Sequence, residues 1–161
     1  MAPETRKRIA RTGLAAWLLI LVKFILFKHQ AYVYQHYFRD AYPLYSLREG
    51  WEKANMTPFK SIALILRQND IYHYWLGNIT GNIAGFMPLG FLFPMTRQSP
   101  SKPAAVLLFT GLVSACFECA QWFLGTGILD IDDLILNIAG GMLGWLVLTI
   151  LKSLYAVKQA D

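Results

Sequence analysis

The stretch that most constrains the fold is Phe117–Gly144, FECAQWFLGTGILDIDDLILNIAGGMLG, where two long apolar runs meet at a short acidic turn. Glu118, Gln121, Asp130, Asp132, Asp133 and Asn137 lie in or beside these runs. A carboxylate next to a hydrocarbon-compatible helix is costly, so each one needs a partner, a proton or an aqueous pocket. A fold for this chain must therefore be apolar outside and polar at one enclosed place. Composition supports a membrane setting: 55% of the residues are hydrophobic and 16% charged, against about 25% charged in ordinary globular domains. The apolar residues come in blocks rather than at a strand or surface-helix period. With 161 residues, the chain reads as one domain, 1–161, with no room for a soluble core beside several spans.

The blocks predict an all-α polytopic membrane protein, a four-helix transmembrane bundle with spans at about 12–27, 77–96, 103–124 and 134–151. The first is short for a span and holds Lys23, expected to snorkel toward an interface. In the second, an uncharged run, Gly77, Gly81 and Gly85 recur every fourth residue and predict a face for close helix approach. Pro88 and Pro94 are expected to weaken its backbone pairing. Between the first two spans, residues 28–76 hold seven of the eight tyrosines, including Tyr32, Tyr34, Tyr37, Tyr42 and Tyr45. Tyrosine favours the membrane–water boundary, so this reads as an aromatic-rich interfacial segment with short helices broken at Pro43 and Pro58.

Charge placement sets orientation. Arg6, Lys7, Arg8 and Arg11 precede the first span, Arg97 and Lys102 separate the second from the third, and Lys152 and Lys158 follow the fourth. Basic flanks stay inside, which predicts both termini in the cytoplasm and the 28–76 segment and acidic turn outside. The net charge of +5 thereby finds a use in topology, and nucleic acid is not an expected partner.

Asn82, Glu118, Gln121, Asp130, Asp133 and Asn137 then converge from three spans on the outer leaflet. Glu118, Asp130 and Asp133 are the candidate catalytic groups: a desolvated Glu118 as proton donor beside a wetter, ionised Asp130 as base. Asn82, Gln121 and Asn137 are the candidate ligand-binding residues of this cluster. Spacings of three and four put Asp130, Asp133 and Asn137 on one helix face, and Asp130 also suits a helix cap. Structural glue between helices is the competing reading for all of them. No serine nucleophile with a positioned base is expected at these acids, which argues against a serine triad. No metal site and no cofactor are expected; the acidic turn matches no calcium loop, and His29, His36 and His73 read as interfacial. Cys116 and Cys119, the two cysteines of the chain, form a C-x-x-C that permits a thiol-redox reading, although packing explains them equally.

Three stretches, NMTPFKSI (55–62), NITGNIAGFMPLGFLFP (78–94) and Glu118–Gly144, together resemble the VanZ-like family of small bacterial membrane proteins. Asn55, Pro58, Phe59, Asn82, Pro88, Glu118, Gln121, Asp130, Asp133 and Asn137 carry the resemblance, which adds Asn55 to the candidate ligand-binding residues. It implies a multispan protein of the bacterial cytoplasmic membrane, and the family's namesake is associated with teicoplanin resistance. The partners expected of the outer-leaflet pocket are membrane lipids and an amphipathic envelope molecule such as a lipid-linked envelope precursor, a teichoic-type lipid or a lipoglycopeptide. Where the family commonly has an arginine, three residues before the first aspartate, this sequence has Gly127, so the expected clamp on the acids would come from another cation such as Lys23, Arg39 or Lys60.

Overall fold

The computed structural model describes residues 2–27, 34, 35, 39, 44–67, 71–97 and 102–158; for residues 3, 66 and 71–77 the description covers the backbone alone. Tyr32, Tyr37, Tyr42, Pro43, His29 and His36, and the side chain of His73, lie outside it. Within it the chain is helical: α1 (Pro3–Leu26), α2 (Leu47–Glu52), α3 (Lys60–Arg67), α4 (Ile71–Met95), α5 (Pro103–Phe123) and α6 (Ile131–Lys158). Among the described residues, α1, α5 and α6 are long and apolar enough to cross a membrane. The molecule is an all-α membrane protein.

Each helix has a local cause. Proline occupies the first helical position of α1 and α5, where its missing N–H removes nothing and its fixed φ favours the helix. α1 starts well before residue 12, because the basic cluster continues in helix and gives the first span 24 residues. α4 runs unbroken through Pro88 and Pro94. α5 stops in a Schellman motif: Gly125 takes φ 64°, its N–H bonds Trp122 O at 3.0 Å, and the Thr126 N–H bonds Gln121 O at 2.9 Å. α2 opens with a capping box in which Ser46 and Glu49 bond reciprocally, and the Ser46 backbone N–H and hydroxyl hold the Glu49 carboxyl below its usual range.

The long helices form an up-and-down bundle. Gly13 lies against Leu92 and Gly85 against Leu21, so α1 and α4 are antiparallel. Thr110 faces Gly141 and Ser114 faces Asn137, so α5 and α6 are antiparallel too. α4 and α6, by contrast, run parallel in the tightest contact of the fold. A Cβ on Gly140 would lie 2.2 Å from Ile83 O, and one on Gly144 would lie 1.9 Å from Met87 O. The close-approach seam therefore belongs to Gly140, Gly141 and Gly144 on α6, with Gly90 opposite. Of the predicted glycine face on α4, Gly85 meets Leu21, whereas nothing lies within 4 Å of a Cβ on Gly81. The difference is physical: small residues at a period of four permit an approach, but the partner's own bulk decides where it happens.

Leu21, Phe86, Leu89 and Phe117 form the apolar core, with the Phe86 and Phe117 rings edge to face at 6.4 Å. Leu19, Phe24, Leu108, Leu112, Leu146 and Leu151 face outward, as lipid-facing positions must. The basic residues at the start of α1 and α5 and at the end of α6 mark one end of the bundle. The α5–α6 turn marks the other, with α2 and α3 gathered over it.

Candidate functional site

The site is built where the loop after α2 crosses the start of α6. Asn55 and Asp130 form a parallel β-bridge: the Asn55 N–H donates to Leu129 O at 2.8 Å, and the Ile131 N–H donates to Asn55 O at 2.9 Å. The side chains repeat the join. Asn55 Nδ2 donates to Asp130 Oδ1 (2.8 Å) and to Ser61 Oγ (2.9 Å), while Ser61 Oγ donates to Asp130 Oδ2 (2.7 Å). Asp130 is also the N-cap of α6, its Oδ1 accepting the Asp132 N–H at 2.9 Å. Its own N–H donates to Glu118 Oε2 at 3.0 Å, which ties the turn to α5.

Asp132, which the sequence assigned no role, is the most enclosed of the acids at 1% exposure. Its carboxylate accepts the N–H of Phe59, and of Ser61 (2.7 Å) and Ile62 (3.1 Å). Those are backbone donors at the opening of α3, which have no partner inside their own helix. Asp132 thus caps α3 from α6, its negative charge set at the positive end of the helix dipole. To offer its N–H, Phe59 takes φ 65°, a left-handed conformation uncommon for an aromatic residue. The Phe59 ring is left exposed, as are the side chains of Met56 and Trp51 in the same covering segment.

Asp133, one residue on, turns to α4: Asn82 Nδ2 donates to its Oδ1 at 2.7 Å and to Asn78 Oδ1 at 3.0 Å. The remaining candidates stand apart. Gln121 Nε2 donates to Ile25 O at 3.1 Å, joining α5 to α1. Asn137 Nδ2 donates to Ser114 Oγ at 2.9 Å, joining α6 to α5. Asp130, Asp133 and Asn137 therefore face three different neighbours. A shared helical stripe is broad enough for this, and Asp130 sits outside the helix as its cap. Asn55, Glu118, Asp130, Asp133 and Asn82 are brought together at one end of the bundle; Gln121 and Asn137 are not part of that group.

Two further expectations are corrected. Serine is present after all, since Ser61 reaches Asp130 across 69 residues of sequence. The contact does not make a triad, because the nearby N–H groups of Phe59, Ser61 and Ile62 are turned to Asp132 and none is left for an oxyanion. Among the described residues, no lysine or arginine takes the place at Asp130 and Asp132 of the arginine missing at Gly127. The donors on Asp130 and Asp132 are neutral amide, hydroxyl and backbone groups, while Lys23, Arg39 and Lys60 are exposed and Lys23 lies over the Phe24 ring at 5.8 Å. Gly127 itself is buried, and a Cβ there would lie 3.3 Å from Gln121 Cβ and Nε2. Cys116 and Cys119 are free thiols on the exposed face of α5. Among the described residues no group of three or more His, Cys, Asp or Glu is placed to hold a metal ion.

A helical membrane protein with a polar cluster enclosed at one end of its bundle is the class that fold and site define. The chain belongs to the VanZ/LLP1 family, whose model matches residues 14–152 and so takes in every residue of this site. No curated protein and no solved structure matches the chain.

Proposed function

We propose that the cluster binds the polar head of an amphipathic envelope molecule, such as a lipid-linked cell-wall precursor or a glycopeptide-related lipid, at the outer leaflet of a bacterial cytoplasmic membrane. α4 serves as the fourth span on this reading. Its 25 residues rise about 37 Å and carry no Asp, Glu, Lys or Arg. The basic end of the bundle faces the cytoplasm with both termini, and the acidic turn faces out. The observation that carries the reading is the convergence of Glu118, Asp133 and Asn82 from three long helices at one end of the bundle, where the covering segment from α2 to α3 exposes Trp51, Met56 and Phe59. An apolar rim over a polar cluster suits a ligand that is itself amphipathic. Glu118 and Asp133 are the acids given charge or proton-transfer roles; Asp130 and Asp132 hold the cradle.

The test is teicoplanin susceptibility of a sensitive host expressing the chain, compared with Glu118→Gln and Asp133→Asn at membrane levels matched by blot. Protection by the wild type that both variants lose at equal abundance supports ligand handling by these acids. A second reading, a non-catalytic scaffold, is favoured by one observation: Asp130 and Asp132 are fully engaged in helix capping. It predicts that the same variants lower protein abundance and leave no activity difference once abundance is matched.

A further inference from the structure

Four of the buried residues of α5 are polar: Thr110, Ser114, Glu118 and Gln121. Steps of four, four and three place them on one face, so the helix turns a polar stripe inward. Opposite them on the α6 side stand Asp130, whose N–H donates to Glu118; Asn137, bonded to Ser114; and Gly141, whose lack of a Cβ admits the Thr110 side chain. From Glu118 down to Thr110 this seam descends about 12 Å into the bundle.

Its two ends are closed differently. At the deep end, the Thr110 hydroxyl donates back to Val106 O at 2.8 Å, and Thr110 fills the space over Gly141. At the upper end stand the acids, with Asp133 one helical turn above Asn137 and Glu118 one turn above Ser114. The middle rung is incomplete. Asn137 is 3% exposed, and among the described residues its Oδ1 is the buried side-chain polar atom with no hydrogen-bond partner. Ser114, 0% exposed, accepts the Asn137 amide and still has its own hydroxyl hydrogen to donate. An acceptor and a donor meet in apolar surroundings, each lacking the opposite group. Buried water recurs at such places, bridging polar groups that protein atoms leave over.

We infer that the α5–α6 seam binds a structural water between Asn137 and Ser114, donating to Asn137 Oδ1 and accepting from the Ser114 hydroxyl. The water enters from the acidic end, since Thr110 and Gly141 shut the other. The inference is independent of the ligand proposed for the outer cluster.

The experiment is a structure of the full-length protein in lipid nanodiscs, at a resolution where buried waters elsewhere are visible. Density within hydrogen-bonding distance of both Asn137 Oδ1 and Ser114 Oγ is the expected result. Asn137 Oδ1 turned onto a protein donor, with no density between the two, overturns it. Thermal unfolding of Asn137→Leu, a near-isosteric change, supplies a second readout. A bound water predicts a lower midpoint than wild type, and Ser114→Ala added to it lowers the midpoint little further, because both changes remove one bridged unit. A midpoint for Asn137→Leu equal to or above wild type overturns the water, since discarding an unfilled buried acceptor relieves the fold. Should Asn137→Leu not accumulate, the wild-type density decides alone.

Discussion

Asp132 and Phe59 define one latch between them, and their substitutions separate what the latch holds from what it presents. Removing the Asp132 carboxylate strands three backbone N–H groups at an enclosed helix start. Hydrogen bonds to a charged group contribute about 1.5–3 kcal/mol each, so Asp132→Ala is expected to destabilise the protein by at least about 3 kcal/mol. The loss should appear as a lower unfolding midpoint in detergent and as new protease cleavage within residues 54–67. Phe59→Gly has the opposite expectation. The left-handed conformation costs a side-chain-bearing residue about 1–2 kcal/mol that glycine escapes, so the midpoint should hold or rise. Any activity that falls in Phe59→Gly while stability is kept depends on the exposed ring itself, not on the fold. Much of the residue-level pattern was legible in the sequence. Asn82, Glu118, Asp130 and Asp133 stand out because polar groups within or at the ends of apolar helices are rare, and Asn55 through the family-like stretch NMTPFKSI. Asp132 and Ser61 did not stand out, since their partners lie 69 to 73 residues away and are mostly backbone N–H groups, which no side-chain motif reveals.

At the level of the helices, glycine distribution gives a paired prediction. Gly144→Ala would drive a methyl group into the Met87 carbonyl, and the parallel α4–α6 contact must open to admit it. Gly81→Ala meets nothing, and alanine stabilises a helix by about 0.8–1.0 kcal/mol relative to glycine. The first variant should therefore lower the unfolding midpoint and the second hold or raise it. Equal losses in both would show that α4 packs on its Gly81 face instead. Helix positions were readable from hydropathy because lipid demands long apolar runs whatever their neighbours. Which helices touch was not readable, as glycine spacing marks surfaces able to approach without naming the partner. The lower stripe of α5 went unread for a related reason: Ser114 and Thr110 are small hydroxyl residues that hydropathy scarcely distinguishes from their surroundings.

The whole molecule has a polarity that can be tested in cells. With Cys116 and Cys119 replaced by serine, a single cysteine at Thr57 or Thr96 reports the two ends of the bundle. An impermeant maleimide should label Thr57→Cys in intact cells and Thr96→Cys after lysis alone; the reverse pattern would place the acidic turn inside. The same background decides the thiol-redox reading, because an activity that survives both serine replacements does not run through these thiols. The parallel pairing of α4 with α6 also bears on how the protein is made. Parallel neighbours cannot be joined by a tight turn, so α5 must cross and return before α4 meets its main partner. Asn55 and Ser61, the opening of α3, Asn82 and Glu118 likewise wait for carboxylates or backbone that follow residue 128. About four fifths of the chain is already synthesised before the ribosome reaches those partners. Through that interval the earlier helices lack these late contacts, and only pairs such as Gln121 with Ile25 O and Trp17 with Gly85 O can form. The final helix is thus the keystone of biogenesis, and a nascent chain stalled before it has the lipid-facing surface of this protein but not its interior.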